Sequence, residues 1–138
     1  MIKTKELMLG NWVLAGSKTQ FPMYVTGIFD DVAYLDSEGN EGDCFEYKEE
    51  DMLPVPLTEE ILLKNGFIKM YDYYKYKEDD IFIRLGEDIT TSILRVEGLD
   101  RKPNKPTLSK VNAFNKTKYV HELQNLFTLA GIEIEFKI

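Results

Sequence analysis

His121 and Cys44 are the only histidine and the only cysteine of the chain, so thiol or imidazole chemistry has to run through one or both. Brought within hydrogen-bond reach by the fold, they would make a thiol–imidazole dyad. Against that, Cys44 opens an alternating strand pattern, Cys44–Lys48 (CFEYK), where a small buried apolar role is commoner. His121 lies beside the Val120/Leu123 stripe of a helical pattern, toward its polar flank. The plain expectation there is a partly exposed residue bonding a neighbouring loop. A lone cysteine excludes an intramolecular disulfide and four-cysteine zinc sites, and a lone histidine excludes HExxH and two-histidine sets. No metal and no cofactor is expected. Acidic groups cluster at Asp30-Asp31, Glu49-Glu50-Asp51, Glu78-Asp79-Asp80 and Glu87-Asp88, without the spacing of a calcium loop. They read as solvated turn residues. A paired-carboxylate site stays open, because such pairs assemble in space and not in sequence. Gly39-Asn40-Glu41-Gly42 is too acidic for a phosphate loop and lacks a following Lys-Ser/Thr, and no GxGxxG follows a strand.

Two further groups could bind without catalysing. Tyr71, Tyr73, Tyr74 and Tyr76 stand near Lys69, Lys75 and Lys77. On an exposed sheet these rings, Tyr73 and Tyr74 above all, could stack on bases or small planar ligands. The alternative is a strand whose rings divide between the core and cross-strand pairs. The other group is the run from Arg101 to Lys118, which holds Arg101, Lys102, Lys105, Lys110, Lys116 and Lys118 and no acid, so it carries +6. The chain as a whole is at −7, leaving −13 elsewhere. A basic segment on an acidic body is the expected main contact surface, for an anionic ligand such as a nucleic acid or nucleotide, or for an acidic patch of a partner or second subunit. Otherwise it is a solvated connector. Nucleic acid has no second route, since the acidic remainder repels phosphate.

The elements that must position these residues are short. A chain of 138 residues with 43% apolar and 30% charged residues, eight Tyr, eight Phe and one Trp suits one globular domain, 1–138, divisible near 57/58. Strands are expected at Asn11–Ala15, Met23–Ile28, Val32–Leu35 and Cys44–Lys48, separated by Gly and Asp turns. That spacing predicts a small curled antiparallel sheet, an SH3-like barrel, with a bulge or bend at Gly27. Pro54-Val55-Pro56 predicts an extended link. A helix follows, with Thr58 as N-cap, Glu59 and Glu60 in its first turn, Ile61–Leu63 inward, Gly66 at C′ and Phe67 making the contact that accompanies such a cap. Residues 68–96 predict a three-stranded meander, Ile68–Tyr76, Ile81–Leu85 and Thr90–Val96. Pro103 and Pro106 oppose regular structure in the first half of the basic run, while Leu108, Val111, Ala113 and Phe114 suggest that the second half packs down. Tyr119, Val120, Leu123, Leu126, Phe127 and Ala130 recur at helical spacing up to Gly131. Ile132–Ile138 then alternates strictly and predicts a half-buried final strand. The fold class expected is α+β.

Three stretches resemble a known family: Leu9-Gly10-Asn11-Trp12-Val13, Pro54 to Phe67 (PVPLTEEILLKNGF), and Lys118 to Phe127 (KYVHELQNLF). In order and spacing they are similar to a family of small, uncharacterised proteins of Bacteroidetes genomes, their phages and other mobile elements. The resemblance brings no activity and no catalytic residues. It implies a phage or mobile-element accessory protein in a bacterial cytoplasm, which fits the lack of a signal-peptide core in the first residues and of any apolar run near the ~18 residues of a membrane span. His121, Glu122, Gln124 and Asn125 fall on the outer face of the last motif by periodicity, as a contact strip. The function expected is a non-enzymatic interaction module that meets a protein partner, or a second copy of itself. The competing expectation is a phage counter-defence protein, either an acidic mimic that fills a nucleic-acid channel or a pocketed protein that sequesters a nucleotide signal.

Overall fold

The computed structural model describes residues 1–71, 73–76, 82–83, 91–94, 112–115, 118–129 and 133–138. The chain divides into two compact units, Met1–Pro56 with Tyr119–Phe136 and Ile138, and Leu57–Lys118 with Lys137. Helix α1 (Glu59–Lys64) belongs to the second unit and helix α2 (Val120–Leu129) to the first. The N-terminal stretch of the first unit ends at Pro56, and the C-terminal helix α2 belongs to that same unit.

The first unit is a five-stranded antiparallel sheet with α2. Strands β1 (Trp12–Ala15), β2 (Phe21–Phe29), β3 (Val32–Asp36), β4 (Phe45–Lys48) and β5 (Met52–Pro54) lie in the order β4-β3-β2-β1-β5. The strands are rich in apolar residues, and their core-facing side chains meet across the ladders. Val13 faces Met23, Val25 faces Leu35, and Ala15 faces Met52. Joined by Ile2, Leu7 and Ala33, these side chains make one buried cluster, each larger member contributing roughly 2 kcal/mol of burial. Register shifts between Val25 and Gly27, which is the bulge expected at that glycine. One expectation is refined and one needs correction. The link at Pro54–Pro56 is partly strand, since Leu53 and Pro54 pair with Leu14 and Val13. Pro54 is tolerated because β5 is an edge strand. Cys44 is exposed, stands outside β4 and has φ 48. It closes the β3–β4 loop, and its N–H is held by the Asp36 carboxylate at 2.7 Å.

The second unit starts with α1, whose punctuation is as expected. Thr58 Oγ1 accepts the Ile61 N–H at 3.3 Å, and Gly66 has φ +87 just beyond the C-cap Asn65. Of Ile61–Leu63 only Leu62 is buried, while Leu63 is exposed, because a helix this short presents a single residue to the sheet. The meander has five strands where three were expected. β6 (Phe67–Met70), β7 (Tyr73–Tyr76), β8 (Phe82–Ile83), β9 (Thr91–Leu94) and β10 (Asn112–Asn115) lie in sequence order. The single strand expected over Ile68–Tyr76 is broken at Tyr71, φ 30, where the chain reverses so that Phe67 pairs with Tyr76 and Met70 with Tyr73. β10 places part of the second half of the basic run in the sheet.

The expected strand at 132–138 is the largest correction. Residues 133–138 form no strand, and Ile132 lies outside the described residues. Burial still alternates: Phe136 is buried, Ile134 and Ile138 are half-buried, and Glu133, Glu135 and Lys137 are exposed. Side chains replace the ladder. Trp12 Nε1 donates to the Phe136 carbonyl at 2.7 Å. The Asn65 amide accepts the Lys137 N–H at 2.6 Å and donates to its carbonyl at 2.7 Å.

Candidate functional site

The loop before β1 is built by its own residues. Gly10 takes φ +86, its N–H donates to the Val25 carbonyl, and the Asn11 carbonyl accepts from Val25 N–H. Asn11 Oδ1 accepts the Met8 N–H at 2.9 Å. Gln124 then clasps this loop to α2. Its Oε1 accepts the Trp12 N–H and its Nε2 donates to the Gly10 carbonyl, both at 2.9 Å. From the next residue, Asn125 Nδ2 donates to the Glu6 carbonyl at 2.9 Å. Gln124 and Asn125 thus face the sheet unit, and the outer contact strip expected from periodicity is corrected. The apolar stripe of α2 does not mark its full inner face, because polar side chains there satisfy loop backbone.

Where the first unit remains open, it is aromatic. Phe21 at the start of β2 and Phe45 at the start of β4 are 56% and 48% exposed, although their strand partners Ala15 and Leu35 are fully buried. They continue the core face past the end of the core. With Pro22, Met23, Tyr47, Trp12 and Ile138 they wall a hollow of about 430 Å³, with Ser37 and Glu38 on it. β4 is also an edge strand of its sheet, and Glu46 on it is exposed.

A second opening, a groove of about 650 Å³, lies at the start of α2. Its apolar wall includes Ile2, Leu14, Leu53, Pro54 and Pro56, and its polar residues are Glu6, Tyr119, His121 and Glu122. His121 is only 3% exposed, and its ring lies nearly parallel to that of Tyr119, centroids 6.0 Å apart. Burial holds its pKa below the ordinary imidazole value, against the opposing pull of the Glu122 and Glu6 carboxylates. His121 Nδ1 and Asn125 Oδ1 are buried without a hydrogen-bond partner among the described residues.

Comparison with known proteins returns no matching family model, no matching curated protein and no matching solved structure.

The remaining sequence-predicted residues can now be placed. His121 is buried, not partly exposed, and makes no hydrogen bond to Cys44, whose thiol lies 3.9 Å from Thr26 Oγ1. Tyr74 is buried and its hydroxyl donates to Glu59 at 2.8 Å, beside Lys69. Burial and then Glu59 raise its pKa, while the Tyr74 hydroxyl and then Lys69 lower that of Glu59. Tyr73 is half-buried, and Tyr76 packs on Phe67 at 5.2 Å. Tyr71 alone of the four stands almost fully in solvent, 95% exposed. Lys118 is exposed and its carbonyl accepts the Leu57 N–H. Arg101, Lys102, Lys105, Lys110 and Lys116 lie outside the described residues. Among the described residues no cluster of three His, Cys, Asp or Glu could hold a metal ion, and no helix is long and apolar enough to cross a membrane. The hollow was missed at the sequence level. Its signal is Phe21 and Phe45 at strand ends, in phase with the core.

Proposed function

We propose that the chain is a non-enzymatic interaction module whose first unit is an SH3-like barrel that binds an extended segment of a protein partner. The single carrying observation is the aromatic hollow of about 430 Å³ around Phe21, Phe45 and Tyr47, within the size range of sites that bury a ligand group. The barrel reading is supported by the meander β1–β4, the 3-10 turn Glu49–Asp51, and the return of β5 to pair with β1. The partner segment adds to the β4 edge, seats an aliphatic or aromatic side chain in the hollow, and carries Lys or Arg for Glu38 and Glu46. Its basic character also suits a chain at −7. A second copy offering its own Arg101–Lys118 run has that chemistry. The setting implied by the family resemblance, a phage or mobile-element accessory protein, belongs to this proposal.

The test is photo-cross-linking from position 45. A benzophenone side chain replacing Phe45 should capture one partner in cells, and the same group replacing exposed Leu129 should not. Equal capture from both positions refutes the assignment of the hollow. Capture of a nucleic-acid-binding complex through acidic surface, unaffected by substitution at Phe21, would favour the counter-defence reading that the −13 outside the basic run motivates.

A further inference from the structure

We propose that the groove at the start of α2 is a second binding site, for a small aliphatic ammonium compound held by its charge on Glu6 and Glu122 and by a hydrogen bond to His121. Four observations lead there. The groove measures about 650 Å³, enough for a small organic molecule. Ile2, Leu14, Leu53 and the two prolines give it an apolar wall that suits methylenes. The two carboxylates on it act together on the imidazole, so a cation is favoured and a carboxylate or phosphate is repelled. The imidazole supplies the remaining need, since a 97% covered ring whose Nδ1 has no hydrogen-bond partner among the described residues is a costly arrangement. A guest that pairs with it removes that cost. Buried polar atoms are otherwise nearly always satisfied.

The chemistry selects among guests. A neutral imidazole accepts one hydrogen bond and donates one. An ammonium group can donate to the imidazole and to a carboxylate at once, which an alcohol, with its single O–H, and a carboxylate guest cannot do. The groove shares none of its lining residues with the aromatic hollow, so this site stands or falls independently of the proposed partner binding.

With one histidine in the chain, its imidazole resonances need no assignment. Titration of uniformly ¹⁵N-labelled protein at neutral pH with butylammonium or 1,4-diaminobutane should shift the His121 imidazole signals saturably. Butanol should shift them weakly, and butyrate not at all. Glu6→Gln should weaken the ammonium guests about tenfold, the effect of one ion pair in a partly desolvated site, with the amide spectrum otherwise unchanged. His121→Gln, if folded by its amide spectrum, should weaken them as well, read from the Ile2 and Leu14 amides. An unmoved His121 signal at millimolar ammonium, or a butyrate shift as large as the butylammonium shift, overturns the proposal. So does undiminished binding by Glu6→Gln.

Discussion

Replacing Gln124 by Met tests whether the KYVHELQNLF stretch is structural or a contact strip. Met keeps the length and helix propensity of Gln but removes both clasp bonds, from Trp12 N–H and to the Gly10 carbonyl, each 2.9 Å. The two losses are unequal. The bond to Gly10 is at the surface, where water can replace Nε2, so it costs about 0.5 kcal/mol. The Trp12 N–H is partly buried beneath a buried Trp12, and stranding it costs about 1–2 kcal/mol. The sum is about 2 kcal/mol, a fall in melting temperature of roughly 8 °C for a domain of this size. Gln124→Glu keeps the acceptor for Trp12 and loses only the donor, so it should fall between wild type and Gln124→Met. Leu129→Ala, on a side chain 77% exposed, should move stability by less than about 0.5 kcal/mol. Thermal and urea melts followed by tryptophan fluorescence report directly, because Trp12 is the only tryptophan. A Gln124→Met protein as stable as wild type would refute the clasp and restore the reading of Gln124 as a surface contact.

Two further perturbations follow from local geometry. The carboxylate of Asp36 accepts the Gly42 and Cys44 N–H groups at 2.8 and 2.7 Å, and these bonds hold its pKa below the usual value, as the Thr4 N–H does for Glu49. Because the folded pKa is the lower one, the stability they supply is fully present above the unfolded-chain pKa near 4 and is lost as pH falls through the folded values. Melting temperature should therefore drop steeply below about pH 4, and Asp36→Asn should flatten part of that drop. An unchanged slope in the variant would contradict the assignment. Gly16→Ala should destabilise by about 2–3 kcal/mol, because φ +133 is closed to a Cβ and the new methyl would run into the Thr19 carbonyl. A melting temperature within 2 °C of wild type would show that the β1–β2 turn is built otherwise.

What the sequence disclosed was local. Thr58, Gly66 and Gly27 act within a few residues, so the cap, the stop and the bulge could be read from residue type alone. The spacing of Val120, Leu123 and Phe127 located α2 correctly. It did not show which way Gln124 and Asn125 point, because that depends on loop carbonyls and N–H groups from residues 6–12, more than a hundred positions away. The alternation of 133–138 reported burial faithfully, yet pairing was supplied by the Trp12 indole and the Asn65 amide, which leave no periodic trace. Tyr71 broke the expected long strand because a turn can be made by a tyrosine at φ 30 without glycine or proline to announce it. The hollow was hidden for a different reason. Phe21 and Phe45 carry the phase of core residues, and only the ends of the sheet decide that they stay half exposed.

The central claim, that the aromatic hollow receives an extended basic segment, is tested most directly by selecting a random-peptide library on the intact protein and measuring the selected peptides by calorimetry. The account predicts peptides with an aliphatic or aromatic residue flanked by Lys or Arg. Their affinity should fall at least tenfold for Phe45→Ser and for Phe21→Ser, and the Cys44–Lys48 amides should shift on binding. Selected peptides that are acidic, or that bind both serine variants as tightly as wild type, would contradict it.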